Sequence, residues 1–215
     1  MYNINQSCTP EISKNFLRNC NHRPKAGVLR KWIGFHEGID QQATNLSKSA
    51  ATGFESKFAF DQFVLNSSSF LYRLEGNDKV HKVKHEFTPG DFANGYTHTD
   101  TVTFIDRNQT VLMNIADIQD GRFFTISEMV DAGGDGKTKF LVAGAFSGMK
   151  LLSDNFDSGE NSGTLTIELA TKEGDVEPFG LLPLLIGGDQ SVTPVIEASP
   201  ETTLEALKAM EFQFA

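Results

Sequence analysis

Cysteine is scarce: Cys8 and Cys20 are the two in 215 residues. A small disulfide scaffold needs more, so the pair reads as free thiols of a reducing compartment. They lack a Cys-x-x-Cys spacing, which argues against a metal pair with His22. Long apolar runs are also missing. The longest lies near "FGLLPLLIGG", and its prolines and glycines break it well short of a bilayer span. The stretch "MYNINQSCTPEISKNF" has no basic segment followed by an apolar one, so it does not read as a secretory signal. Basic residues are few, 19 Lys and Arg against 28 Asp and Glu, and the net charge of −9 opposes wrapping of nucleic acid. There is no internal repeat and no low-complexity tract.

What the chain does have is phenylalanine. It carries 18 Phe beside 1 Trp and 3 Tyr, side chains that add contact area without a polar handle. Charge is spread unevenly. Residues 1–90 balance to +4, residues 91–152 to −3 and residues 153–215 to −10. Such ends read either as a solvated acidic region or as complementary surfaces of copies that stack. The length suits one structural domain. Within it, residues 1–45 read as an arm and a first strand, and residues 46–215 as a β-rich core with a flanking helix near 108–120.

The apolar pattern is mostly that of strands. "RPKAGVLRKWIGF" offers an ordered strand after a Pro/Gly break, and "FESKFAFDQFVL" begins the β-rich part. "FLYRL" and "KVHKVKHEF" flank "EGND", which predicts a hairpin. "THTDTVTFI" sets His98, Asp100, Val102 and Phe104 on one face and four threonines on the other. "RFFTISEMV", "KTKFLVAGAF" and "GTLTIELAT" continue the pattern. Helical spacing is confined to "NQTVLMNIADIQDG" and to "SPETTLEALKAM", where Ser199 would cap and Pro200 opens the first turn. Strands grouped around a helix, not alternating with helices, predict a mainly β, α+β fold. We expect an antiparallel β-sandwich or barrel with one flanking helix, an extended N-terminal arm and a short C-terminal helix.

The chemical motifs are thin. "DAGGDGKTKF" ends like a phosphate-binding loop at Gly136, Lys137 and Thr138. Asp131 stands where the first glycine is required, Asp135 adds a second repelling charge, and a strand pattern follows where a helix N-terminus is needed. The stretch therefore reads as a glycine-rich turn. His81 and His85 are four apart, about 13 Å along a strand and too far for one ion. His98 and Asp100 share a strand face without an evident nucleophile, since "AFSGM" around Ser147 is not the hydrolase elbow. "SDNFDSGENSG" is rich in carboxylates but fails the calcium-loop spacing at Phe156. No catalytic residue, cofactor or metal is expected.

The order of these segments carries a resemblance. The opening "NCNHRPKAGV", the strand "FLVAGAFSGMKL" and the closing "GTLTIELATKEGDVEP" are similar to virion structural proteins of tailed bacteriophages infecting Bacteroidota, of the tail-tube or tail-associated class. The resemblance implies a non-enzymatic protein whose copies join into rings or a tube, located in the virion and made in the host cytoplasm. Its partners would be further copies and neighbouring virion proteins, with DNA passing an acidic lumen unbound and no membrane involved. A head–tail connector, a tail-completion ring or a capsid decoration protein are alternatives of the same class. A calcium- or glycan-binding β-sandwich is an alternative of another class. Phe58, Phe60, Asp135 and Lys137 are the residues we expect at an assembly interface.

Overall fold

The computed structural model describes residues 25–47, 59–74, 80–89, 94–104, 118–133, 136–156, 164–172, 176–187 and 198–212. In these the protein is mainly β, with eleven strands and one C-terminal α-helix. The strands are β1 (Val28–Phe35), β2 (Asn45–Ser47), β3 (Ala59–Gln62), β4 (Tyr72–Leu74), β5 (Lys82–Thr88), β6 (Gly95–Phe104), β7 (Phe123–Met129), β8 (Phe140–Ala143), β9 (Met149–Phe156), β10 (Leu165–Thr171) and β11 (Leu182–Leu184). A short 3-10 turn, His36–Gly38, ends β1. The helix is α1 (Pro200–Ala209).

Strand β7 organises the molecule. One of its edges pairs with β1 over its whole length. The other edge pairs first with β8, through Thr125–Glu128, and then with β9, where Phe123 faces Met149. One sheet therefore runs β4-β1-β7-β8-β11-β3-β2, and a second arm runs β9-β10-β6-β5. The two arms meet at the Phe123/Met149 rung.

Alternation along the strands sorts side chains into two cores. Trp32, Phe124, Ile126, Phe140 and Val142 point one way and pack with Phe60, Phe63, Leu184 and Leu207 of α1. Ile33, Phe123 and Ala143 point the other way and meet Val102, Leu165, Ile167 and Leu169 of the second arm. Strand β7 is thus covered on both faces, and all of Phe123–Glu128 is buried. A helix, a sheet and a second sheet arm make three layers.

Local chemistry explains the helix. Ser199 accepts from the Thr202 N–H, and Thr202 reaches back to the Ser199 N–H, a reciprocal cap with Pro200 at the first position. The helix is held on its sheet by Leu207, which is fully buried. Beyond it, Phe212 N–H donates to the Leu71 carbonyl and Leu71 N–H to that of Met210, so the chain after α1 lies beside residue 71.

Three expectations are corrected or bounded. The strands flanking "EGND" do not pair with each other: β4 pairs with β1, and β5 pairs with β6. The reason is burial and reach, since β4 follows Leu71 into the Trp32 core while β5 finds a seven-residue register on β6. The sheet is not wholly antiparallel, because β11 meets β3 in parallel at Leu184 and Phe60. The helix expected near 108–120 falls almost entirely outside the described residues. No helix among the described residues is long and apolar enough to cross a membrane.

Candidate assembly surfaces and the polar corner

Strands β8 and β9 run in the same direction along β7 and are separated by Gly144–Gly148. This segment lets the chain leave one arm and enter the other. Gly144 and Gly148 take φ of 70° and 74°, a region that costs other residues energy. A corner of this kind exposes backbone groups away from any ladder, and three buried side chains satisfy them. His36 Nε2 donates to the carbonyls of Ala145 and Phe146, at 3.2 and 2.9 Å. His98 Nδ1 accepts from the Gly144 N–H at 3.0 Å, which leaves its proton on Nε2 for the Phe179 carbonyl at 2.9 Å. Glu177 accepts from Phe146 N–H at 3.1 Å and from Ser147 N–H at 3.0 Å.

Burial sets the charge states here. It holds His98 neutral, with a pKa near 4, and the nearby His85 adds to the depression while the Phe179 carbonyl opposes it. Burial also pushes the Glu177 carboxyl up to about 7, although the N–H groups of Ser147, Phe146 and Gly148 favour its charged form. The Glu177 backbone is fixed in turn by a pair of hydrogen bonds with Tyr96, both 2.8 Å. Beside the corner lies a shallow polar depression of about 160 Å³ lined by Arg122, Ser147, Gly148, Lys150 and Lys172.

The second arm ends in two open edges. Among the described residues, β5 has β6 as its partner on one side and none on the other. Strand β9 pairs with β10 on both sides of a bulge at Leu152, and its other edge is paired, among the described residues, at Met149 alone. Both edges carry exposed apolar side chains: Phe87 on β5 at 56% exposure, Leu152 and Phe156 on β9 at 65% and 43%. A third exposed aromatic group sits beside β4, where Phe212 contacts Phe70 and Tyr72 with ring centroids at 5.5 and 5.7 Å.

The expected site residues fare unequally. Phe60 is a correction: it lies fully buried among Phe63 and Phe146 rather than on an assembly surface, because its side chain packs into the core that holds Trp32, Phe124 and Phe140. Phe58 and Asp135 lie outside the described residues. Lys137 is half-buried in the loop that joins β7 to the antiparallel β8. That loop is a turn, with Thr138 N–H bonded to the Ala132 carbonyl and Met129 N–H to that of Lys139. The nucleotide-loop geometry of strand, glycines and helix is replaced by a strand-to-strand connection. His81 and His98 are buried in different bonding arrangements, and His85 is exposed. No group of three or more His, Cys, Asp or Glu among the described residues is placed to hold a metal ion.

Sequence reasoning missed Glu177 and the role of the "AGAFSGM" corner. The signal was present in two glycines four apart inside a strand pattern, which marks a bulge or a change of sheet. No family model, no curated protein and no solved structure matches the chain.

Proposed function

We propose that this chain is a non-enzymatic virion structural protein whose copies join through their sheet edges into rings or a tube, as in a phage tail tube. The observation that carries the reading is the β9-β10-β6-β5 arm, open at both ends among the described residues, with exposed apolar side chains at each. An open edge is a row of unpaired N–H and C=O groups, and pairing with another chain satisfies it. Joining β9 of one copy to β5 of the next is a head-to-tail contact. Repetition of such a contact closes a ring or runs on as a filament.

Charge supports the same pairing. Residues 78–88 carry Lys79, Lys82 and Lys84 against Asp78 and Glu86, a balance of +1, whereas residues 149–160 carry Lys150 against Asp154, Asp157 and Glu160, a balance of −2. Opposite signs steer encounter and set register. The strongest catalytic candidates are otherwise engaged: His98 braces the corner and Asp100 is buried against Lys31.

Negative-stain electron microscopy and light scattering of the purified protein test the reading. Rings or tubes whose abundance rises with concentration support it. A monomer at every concentration, alone and with virion partners, overturns it and assigns the lysines of β5 to blocking edge contacts instead.

A further inference from the structure

The interface between the two arms holds a pair of opposite charges where apolar side chains would be expected. Lys31 on β1 and Asp100 on β6 are both fully buried, and Lys31 Nζ is in direct contact with Asp100 Oδ1. Neither charge reaches water. Burial of an ion pair costs several kcal/mol per ion, on the order of what the attraction returns. Moving the proton from Nζ to Oδ1 removes both charges, and burial of Lys31 drives its pKa down in that direction. What results is a free amine, the nucleophilic form of lysine, against a carboxylic acid.

The surroundings are arranged for the next step. Thr125 Oγ1 donates to Asp100 Oδ2, so that oxygen is held as the one that gathers negative charge. Lys31 Nζ also donates to the Lys82 carbonyl at 3.2 Å. Two further buried polar groups near the pair have no hydrogen-bond partner among the described residues. One is Ser127 Oγ, whose residue stands directly across from Lys31 in the β1–β7 register. The other is Nε2 of His81, the residue before Lys82, and its titration responds to the charges of both Lys31 and Asp100.

We propose that Lys31 and Asp100 condense into an intramolecular amide that joins β1 to β6 covalently. The neutral Nζ attacks Cγ of the protonated carboxyl, and the Nζ–Cγ bond forms. Oδ1, already carrying the proton it took from Nζ, receives a second from the attacking nitrogen. The Cγ–Oδ1 bond then breaks and one water leaves. No oxidant, reductant or co-reactant is consumed. The product leaves no charge and satisfies both atoms of the new bond: the amide N–H keeps the Lys82 carbonyl, and the amide oxygen, formerly Oδ2, keeps the Thr125 hydroxyl. Holding the reactants in contact supplies the effective concentration that amide formation lacks in water. This inference stands apart from the assembly reading, since it depends on the interior of one chain.

Intact-mass spectrometry of the denatured wild-type protein tests it directly. The expected mass is one water below that of the sequence, with the peptides containing Lys31 and Asp100 recovered as one branched species after digestion. Lys31→Met and Asp100→Ala are each expected to restore the full mass. A wild-type protein of full mass, with the two peptides recovered separately, overturns the proposal, and that measurement needs no variant to fold.

Discussion

The N–H of Gly144 donates to Nδ1 of His98 across the gap between the two sheet arms, at 3.0 Å. One imidazole thereby ties the chain at the end of β8 to β6, and its other nitrogen ties β6 to Phe179. Neutrality of the ring is required, because a protonated Nδ1 has no lone pair to accept with.

Replacement of His98 by Ala should therefore be costly. It leaves the buried Gly144 N–H without its acceptor, at about 1–3 kcal/mol, and removes the bond to the half-buried Phe179 carbonyl. We expect a loss of about 2 kcal/mol or more in urea unfolding. A loss under about 1 kcal/mol would show that the corner re-forms its bonds without the ring.

Stability should rise with pH across the mildly acidic range. His81 and His98 have folded pKa values near 4, below the ordinary 6.5, so the unfolded chain binds protons that the folded one refuses. Their contribution is complete above 6.5 and is lost as pH falls through 4. Glu177 acts in the opposite sense: its folded value of about 7 lies above 4.5, so its contribution is complete below 4.5 and is lost as pH rises through 7. Two histidines outweigh one carboxyl between about 4.5 and 6.5. Urea midpoints of the wild type should climb over that window, and Glu177→Gln should make the climb steeper. A shallower climb in Glu177→Gln contradicts the assignment.

Two glycines with nearly equal φ separate conformational cost from crowding. At Gly136, φ is 70° and an added Cβ meets nothing within 4 Å. Gly136→Ala should cost about 1–2 kcal/mol, the left-handed penalty alone. At Gly144, φ is also 70°, but the Cβ would lie 2.9 Å from the Phe123 carbonyl oxygen and 2.8 Å from Met149 Cγ. The backbone oxygen belongs to the rung where the arms meet and has little room to yield. Gly144→Ala should cost at least about 1 kcal/mol more than Gly136→Ala by chemical denaturation.

Assembly through the open edges should respond to charge. Leu152→Lys on β9 and Phe87→Asp on β5 each remove an exposed apolar contact, place a charge opposed to the pairing and leave the buried cores untouched. Each variant alone should lower the assembled fraction in sedimentation velocity without changing the unfolding midpoint. Wild-type assembly in both variants would move the contact elsewhere, with the Phe70–Tyr72–Phe212 group as the next surface to alter.

Much of the fold was legible because its signals are local. The alternation of "GTLTIELAT" became β10, the cap and proline of "SPETTLEALKAM" became α1, and the glycines after β7 became a turn. Partner choice was not legible. Strands β4 and β5 flank a good turn sequence, yet their neighbours are decided by which core each apolar face can reach. The two polar sites were hidden for a related reason. Asp100 drew notice beside His98, but the residue that completes it, Lys31, is 69 positions away. Glu177 reaches Phe146 across 31 positions, and nothing in its own segment marks it.

The pairing of β1 with β7 also governs when this chain can fold. Trp32 and its register partner Ile126 are separated by roughly a hundred residues, which a ribosome adds at about 5–20 per second. Strand β1 therefore emerges many seconds before its main partner exists, and β4, its other neighbour, supplies a register of three residues. Loop closure over such a span must precede any return from the contacts it makes, which slows collapse to the native topology. Folding is therefore a late, concerted event that waits for most of the chain, and a nascent β1 with Trp32 and Ile33 uncovered is the segment a chaperone would hold.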